Sequence, residues 1–359
     1  MQPDALSPLY DFWYVGCLAS DLQPGELKPI SLLGEPIVLA RGADGNAFAL
    51  RNICPHRGYP LHLGWMEENS VRCAYHGWRF KAGGSCTEIP SLASGSTIDV
   101  GKMGCGAFPC IERHGLIWVY VTKGGKKPAE APGAPPDIPG FGPDKSPDIF
   151  FSVTFPCDAF NAAYGLMDPT HGIFVHHSPW WNPKAWLKGG RVTPMLTEKG
   201  KAFEPAELGW KMTRHRVPQN RMGYRILGKQ VSTELNYRLP GYRTEVIESE
   251  KYKVTSITAI TPVNDNETLI HQMLYWDIPW AFLIKPLIAH AARTFVEQDR
   301  IVAAAQQEGL KHTPQLLLID DADTQAKWWA RLVAECHASR AENRPFNNPV
   351  QKRTLRWKS

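Results

Sequence analysis

Two short arms, Cys54-Pro55-His56 and Cys73-Ala74-Tyr75-His76, stand sixteen residues apart and can offer two thiolates and two imidazoles to one metal centre. Thiolate favours zinc or an iron–sulfur cluster, and imidazole suits either. A structural zinc site also accepts Cys and His from two short loops. The distribution of ligands tips the balance. Each arm mixes one Cys with one His, whereas zinc sites more often set a Cys-x-x-Cys pair against a His pair. Each arm also runs into a glycine, in His56-Arg57-Gly58 and in His76-Gly77-Trp78, which suits a tight turn. The favoured reading is an iron–sulfur cluster held by Cys54, His56, Cys73 and His76.

A second constellation follows in Asp168-Pro169-Thr170-His171, completed five residues on by His176 and its neighbour His177. Two histidines five apart can give two imidazoles to one iron. A carboxylate from elsewhere would complete a 2-His-1-carboxylate set with open positions for dioxygen. Alone, such a pair is weak evidence, since histidines near a helix end are commonly surface or hydrogen-bonded residues.

Around the first arms the chain reads as β-structure. Residues 37–41 and 47–50 form two strand-like runs about an Asp44-Gly45 turn, leading directly into Cys54, and 116–121 supplies a further strand. Loops on a small all-β scaffold are where metal-binding residues are expected. From Lys126 to Asp148 seven prolines interleaved with glycines exclude helix and central strand, which marks a semi-extended linker. The domain organisation expected is therefore 1–125, a linker over 126–150, and 151–359. The last part opens on a strand at 149–155 and a helix from Asp158. It ends in helices over 291–308 and 321–341, with a ragged run of strands between. That pattern makes it α+β, an antiparallel sheet gripped by helices.

The 359 residues suit two domains of ordinary size. The net charge of +5 is scattered rather than run together, so nothing calls for nucleic acid. The opening residues lack a basic and then apolar leader, and no run is long enough to span a bilayer. The expectation is a soluble, cytoplasmic protein that keeps its non-cluster cysteines reduced. Arg57, Arg72, Arg79 and Lys81 surround the arms and are candidates to steer an acidic electron donor. Trp180, Trp181 and Trp186, just past the histidines, are candidates to line an apolar substrate pocket.

With both constellations present, nearly the whole chain resembles the oxygenase component of the Rieske non-haem iron oxygenases. In a Rieske 2Fe-2S centre, His replaces Cys on one of the two irons and raises the potential. The resemblance implies an all-β Rieske domain followed by an α+β catalytic domain. It places the third iron ligand within Phe295-Val296-Glu297-Gln298-Asp299-Arg300, at Asp299, beside His171 and His176. It gives Asp168 a bridging role between the cluster of one subunit and the iron of its neighbour, in a homotrimeric ring. It implies mononuclear Fe(II), dioxygen as cosubstrate, and electrons from NAD(P)H through a separate reductase, sometimes with a ferredoxin. The chain carries no dinucleotide fingerprint of its own. The chain length is nearer that of monooxygenases and demethylases acting on a small apolar or aromatic substrate. The alternatives are ring cis-dihydroxylation and a Rieske electron carrier or sensor without oxygenase activity. Relatives that cleave methyl ethers often carry an Asn three residues before this Asp, where this chain has Gly165.

Overall fold

The structure, a computed structural model, describes residues 8–129, 132–178, 187, 196–217 and 227–359. It divides into two compact units, residues 8–146 and 147–359.

The first unit is built from short antiparallel strands. β1 (Phe12–Leu18) is followed by β2 (Leu27–Leu32), β3 (Glu35–Arg41), β4 (Ala47–Arg51), β5 (Trp65–Glu67) and β6 (Ser70–Arg72). Then come β7 (Arg79–Lys81), β8 (Cys86–Glu88), β9 (Ala107–Phe108), β10 (Cys110–Arg113) and β11 (Leu116–Val121). They form three sheets in the orders β1-β11-β10, β2-β3-β4-β9 and β5-β6-β7-β8.

Strand β3 shows why an unbroken apolar run is needed here. Successive side chains of a strand point to opposite faces, and β3 feeds a separate core on each. Ile37 and Leu39 enter one with Tyr14 and Val119. Val38 and Ala40 enter the other, which also contains Leu50, Phe80, Cys54 and Cys73. All four β3 residues are fully buried, and each larger one contributes on the order of 2 kcal/mol. The β3–β4 turn is the expected one. Asp44 Oδ1 accepts from Asn46 N at 3.0 Å, and Gly45 takes a φ of 82° that glycine adopts freely.

The proline-rich stretch differs from the extended linker expected over 126–150. Residues 132–146 pack with the first unit: Trp13 Nε1 donates to Gly133 O at 2.8 Å, Arg113 pairs with Asp137, and His114 Nδ1 meets Gly142 O at 2.9 Å. Prolines removed donors that a helix or sheet needs, but the carbonyls stayed available to these side chains.

Among the described residues, the second unit is one eight-stranded antiparallel sheet with helices. Its elements are β12 (Ile149–Phe155), α1 (Ala159–Met167), α2 (Gly172–Val175), β13 (Glu198–Ala206), β14 (Gly209–Arg216), β15 (Ser232–Arg238) and β16 (Tyr242–Glu248). They continue with β17 (Lys253–Asn264), β18 (Glu267–Trp276), α3 (Lys285–Leu310), α4 (Thr324–Ala341) and β19 (Arg353–Lys358). The strand order is β12-β18-β17-β16-β15-β14-β13-β19. The fold is thus the expected sheet-rich α+β arrangement. Asp158 caps α1 by accepting from Asn161 N at 2.9 Å.

Helix α4 locks the far end of α1 in place. Trp328 meets Phe203 and Trp210 edge-on at 5.8 and 5.7 Å. Trp210 Nε1 donates to Gln325 Oε1 at 3.1 Å, and Gln325 Nε2 donates to Met167 O at 3.1 Å. Met167 is the last residue of α1, so this buried amide fixes the backbone one residue before Asp168. Among the described residues no helix is long and apolar enough to cross a membrane.

Candidate metal centres

The two arms of the first unit adopt the same hydrogen-bonded frame. Cys54 N donates to Tyr59 O at 2.8 Å and Gly58 N to Cys54 O at 2.8 Å. Cys73 N donates to Trp78 O at 2.9 Å and Gly77 N to Cys73 O at 3.0 Å. Each turn therefore closes on its glycine four residues after Cys and its aromatic residue five after. Gly58 and Gly77 have φ of 71° and 72°, where a β-carbon would be strained. The imidazoles of His56 and His76 meet edge-on with centroids 4.4 Å apart, and the Trp78 indole stacks on His56 at 4.9 Å.

Cys54 and Cys73 are buried, and none of the eight cysteines is in a disulfide. Burial pushes the Cys54 thiol up to about 11, and the neighbouring Cys73 adds to this. A thiol held protonated by burial beside two imidazoles and a second buried cysteine needs a cation before it ionises. The buried Nδ1 of His56 has no hydrogen-bond partner among the described residues. A metal would satisfy it, so the residues fit an iron–sulfur group with mixed ligands.

Of the cations expected to meet an acidic donor, two are already spoken for. Arg72 pairs with Glu67 at 2.6 Å and Glu88 at 2.8 Å, and Arg79 lies 3.7 and 3.6 Å from the same two carboxylates. Arg57 and Lys81 remain exposed.

In the second unit, His171, His176 and Asp299 are brought together, with one ligand atom from each inside 4.8 Å of the others. Asp299 Oδ1 lies 3.4 Å from His171 Nε2 and 3.5 Å from His176 Nε2. His171 precedes α2 and His176 follows it, while Asp299 projects from α3. Two imidazoles and a carboxylate at this spacing suit a facial metal site.

The surroundings orient each ligand. His176 Nδ1 donates to Gln298 Oε1 at 3.1 Å, and the Phe295 ring stacks on His176 at 3.5 Å. This leaves Nε2 toward Asp299. Thr170 N and Oγ1 both donate to Asp168 Oδ1 at 2.7 Å, which frees Oδ2 to face His171 Nδ1 at 3.5 Å. Gln298 is a residue that sequence reasoning passed over. An amide next to the carboxylate in a helix gives no spacing signal of its own.

Charge follows from these contacts. Burial opposes a proton on His171, but Asp168 and Asp299 outweigh it and hold its pKa up to about 9. Burial lowers that of His176. For Asp168, burial is outweighed by the bonds from His171 and Thr170, which hold the carboxyl below its usual range. A metal must displace the His171 proton. Iron affinity of the metal-free protein should therefore rise with pH up to about 9 and level off above it. Calorimetric titration at several pH values, read together with proton release, checks this; a flat profile would refute it.

The three candidate ligands lie on the wall of a cavity of about 710 Å³. Leu166, Met167, Phe295 and Val296 line it beside them, and residues of β13 to β18 line the rest. Trp180, Trp181 and Trp186, expected to shape a pocket, lie outside the described residues. His177 turns its Nδ1 to Val175 O at 2.8 Å.

Residues 12–109 match the family model described as the Rieske [2Fe-2S] domain. The first unit is therefore a Rieske iron–sulfur domain. The chain as a whole is a homologue of the Rieske oxygenases. It is 31% identical over 312 residues to the chloroplastic chlorophyllide a oxygenase of Arabidopsis thaliana, covering 84% of this chain and 52% of that protein. It is 33% identical over 171 residues to the iron-sulfur subunit of a toluene-4-sulfonate monooxygenase system of Comamonas testosteroni, covering 46% and 45%. The chain spans about a quarter to about half of the length of the curated relatives it matches. Its fold is that of dicamba monooxygenase bound to dicamba, with a TM-score of 0.70 at 19% identity over 94% of this chain and 99% of that one.

Proposed function

We propose that this chain is the terminal oxygenase of a multicomponent system, which hydroxylates or oxidatively demethylates an organic substrate held in the cavity of the second unit. The observation that carries this reading is the convergence of His171, His176 and Asp299 on the wall of an organic-sized cavity, in a chain that also contains a Rieske domain. An electron carrier has no use for that combination. When bound at these three residues, Fe(II) supplies the site at which dioxygen is activated.

The remaining roles belong to the protein. Cys54, His56, Cys73 and His76 hold the 2Fe-2S cluster that receives electrons. NAD(P)H supplies them through a separate reductase, with or without a ferredoxin; one relative is named as a subunit of a monooxygenase system, which supports a division of labour. Gln298 and Phe295 fix the His176 ring, and Asp168 fixes His171. In a homotrimer Asp168 would link that imidazole to the cluster of the neighbouring subunit. The apolar residues beside the ligands exclude water from the reacting end.

The deciding experiment supplies a generic reductase, NADH and a panel of methoxylated aromatics, N-methyl compounds and steroids, and follows oxygen uptake and iron content. Substrate-dependent uptake supports the oxygenase; a protein that binds only cluster iron and consumes no oxygen is a carrier. Asp168→Asn should retain both metals and lose about 10–100-fold in turnover, the usual effect of removing a ligand's hydrogen-bond partner. Stopped-flow measurement of cluster reoxidation should show the same loss, and near-normal turnover would count against the role.

A further inference from the structure

The sheet wall of the cavity carries a positive charge that has no counter-charge among the described residues. The inner face of the sheet forms cross-strand rows. Tyr237, Arg243, Thr258 and Gln272 are paired in register across β15 to β18, and Leu235, Glu245, Ser256 and Leu274 form the next row. Directly opposed residues on one face interact as neighbours. Arg243 donates to Tyr237 Oη at 3.2 Å and to Glu245 Oε2 at 3.0 Å, and Thr233 donates to Glu245 Oε1 at 3.2 Å. Thr258 donates to Gln272 Oε1 at 2.8 Å, and Gln272 donates to Ser256 Oγ at 2.9 Å.

The acidic side chains lining the cavity are all engaged. Glu245 is bound by Arg243 and Thr233, Asp168 by Thr170 and His171, and Asp299 faces His171 and His176. Lys201 on β13 is different. It lines the cavity half-buried, and among the described residues its ammonium has neither an ion pair nor a hydrogen bond. The undescribed stretches between residues 147 and 359 contain no Asp or Glu that could neutralise it. Lys199, two residues earlier on the same strand, also lines the cavity and donates to Ser359 Oγ at 2.7 Å. His215 of β14 lies within electrostatic range of both Lys201 and Glu245 and gives Nδ1–H to Thr213 O at 3.2 Å. Burial, then Lys199, lowers the pKa of Lys201, as expected of a cation lacking a counter-charge.

A half-buried lysine without a partner costs free energy unless a ligand supplies the anion. Arg243 adds a second donor, since Nη1 has no hydrogen-bond partner among the described residues. The lining at Leu166, Met167, Phe295 and Val296 is apolar. We propose that the cavity takes an organic anion, with a carboxylate or sulfonate held at Lys201 and an apolar portion directed to the His171, His176 and Asp299 end. This rests on the reading of those three residues as the reacting site. About 710 Å³ is in the range of pockets for drug-sized molecules and exceeds the needs of a single ring.

Calorimetry on the iron-loaded protein with biphenyl-4-carboxylate, biphenyl-4-sulfonate and the neutral biphenyl-4-carboxamide tests this. Both anions should bind at least about tenfold more tightly than the carboxamide. Lys201→Met should erase that preference without changing carboxamide binding, and Lys201→Arg should keep it. Lys211→Met, which removes a lysine paired with Glu204 at 3.0 Å, should leave it intact. Preference for only one of the anions identifies the acid group and supports the proposal. Equal binding of the carboxamide, a preference that survives Lys201→Met, or no saturable binding of either anion overturns it. Anion preference without oxygen uptake on any substrate would sink the oxygenase reading alone, and uptake without the preference would sink the anion subsite alone.

Discussion

Replacing His171 by alanine is expected to abolish product formation while leaving the visible spectrum of the cluster unchanged. Asp299 Oδ1 lies within 3.5 Å of both imidazoles, so loss of one leaves a two-ligand site. Such a site holds Fe(II) far more weakly. Removing a hydrogen-bond partner of a ligand costs about 10–100-fold, and removal of the ligand itself should exceed the upper figure. The candidate cluster residues Cys54, His56, Cys73 and His76 belong to the other unit. Metal analysis should find one iron fewer per chain, and product assays should find activity below about one per cent of wild type. Turnover well above that level would mean that the reaction occurs elsewhere.

Cys73→Ala is expected to produce the converse loss. Cys73 is buried in the same core as Cys54, Phe80 and Val71, so no water or exposed side chain can replace its sulfur. Three ligands would remain for a group that uses four. Visible absorption and cluster iron should vanish, while iron at His171, His176 and Asp299 is retained. The first unit should also melt at a lower temperature, because a group bound only by the folded state stabilises it by mass action. A cluster spectrum that survives the change would remove Cys73 from the ligand set, and with it the assignment of both arms.

The chemistry was easier to read from the sequence than the sheet that surrounds it. Cys and His spacing is local, and so were the β3–β4 turn, the strand at 149–155 and the terminal helices. Helix α3 nonetheless begins earlier than expected, at Lys285, with a proline in its first turn. Asp299 came from resemblance, since a carboxylate on an amphipathic helix carries no spacing signal. Its approach to both histidines depends on α3 folding back over residues more than a hundred positions away. The strands between β13 and β16 were illegible for a physical reason. Lys201, Thr233, Arg243 and Glu245 occupy inward positions where alternation predicts apolar residues, because they line a cavity rather than a packed core. The same substitution of polar for apolar that blurred the periodicity marks the cavity wall.

The matched turns at Cys54 and Cys73 bear on how the protein acquires its cofactor. Both are stitched shut by backbone bonds, and each carries a glycine at positive φ. A zinc finger, by contrast, is unfolded until its ion arrives. Here main-chain bonds and a glycine in each loop supply part of the shape, so less of it is left for the inorganic group to impose. Material stripped of iron should accept a fresh cluster without passing through a denatured chain.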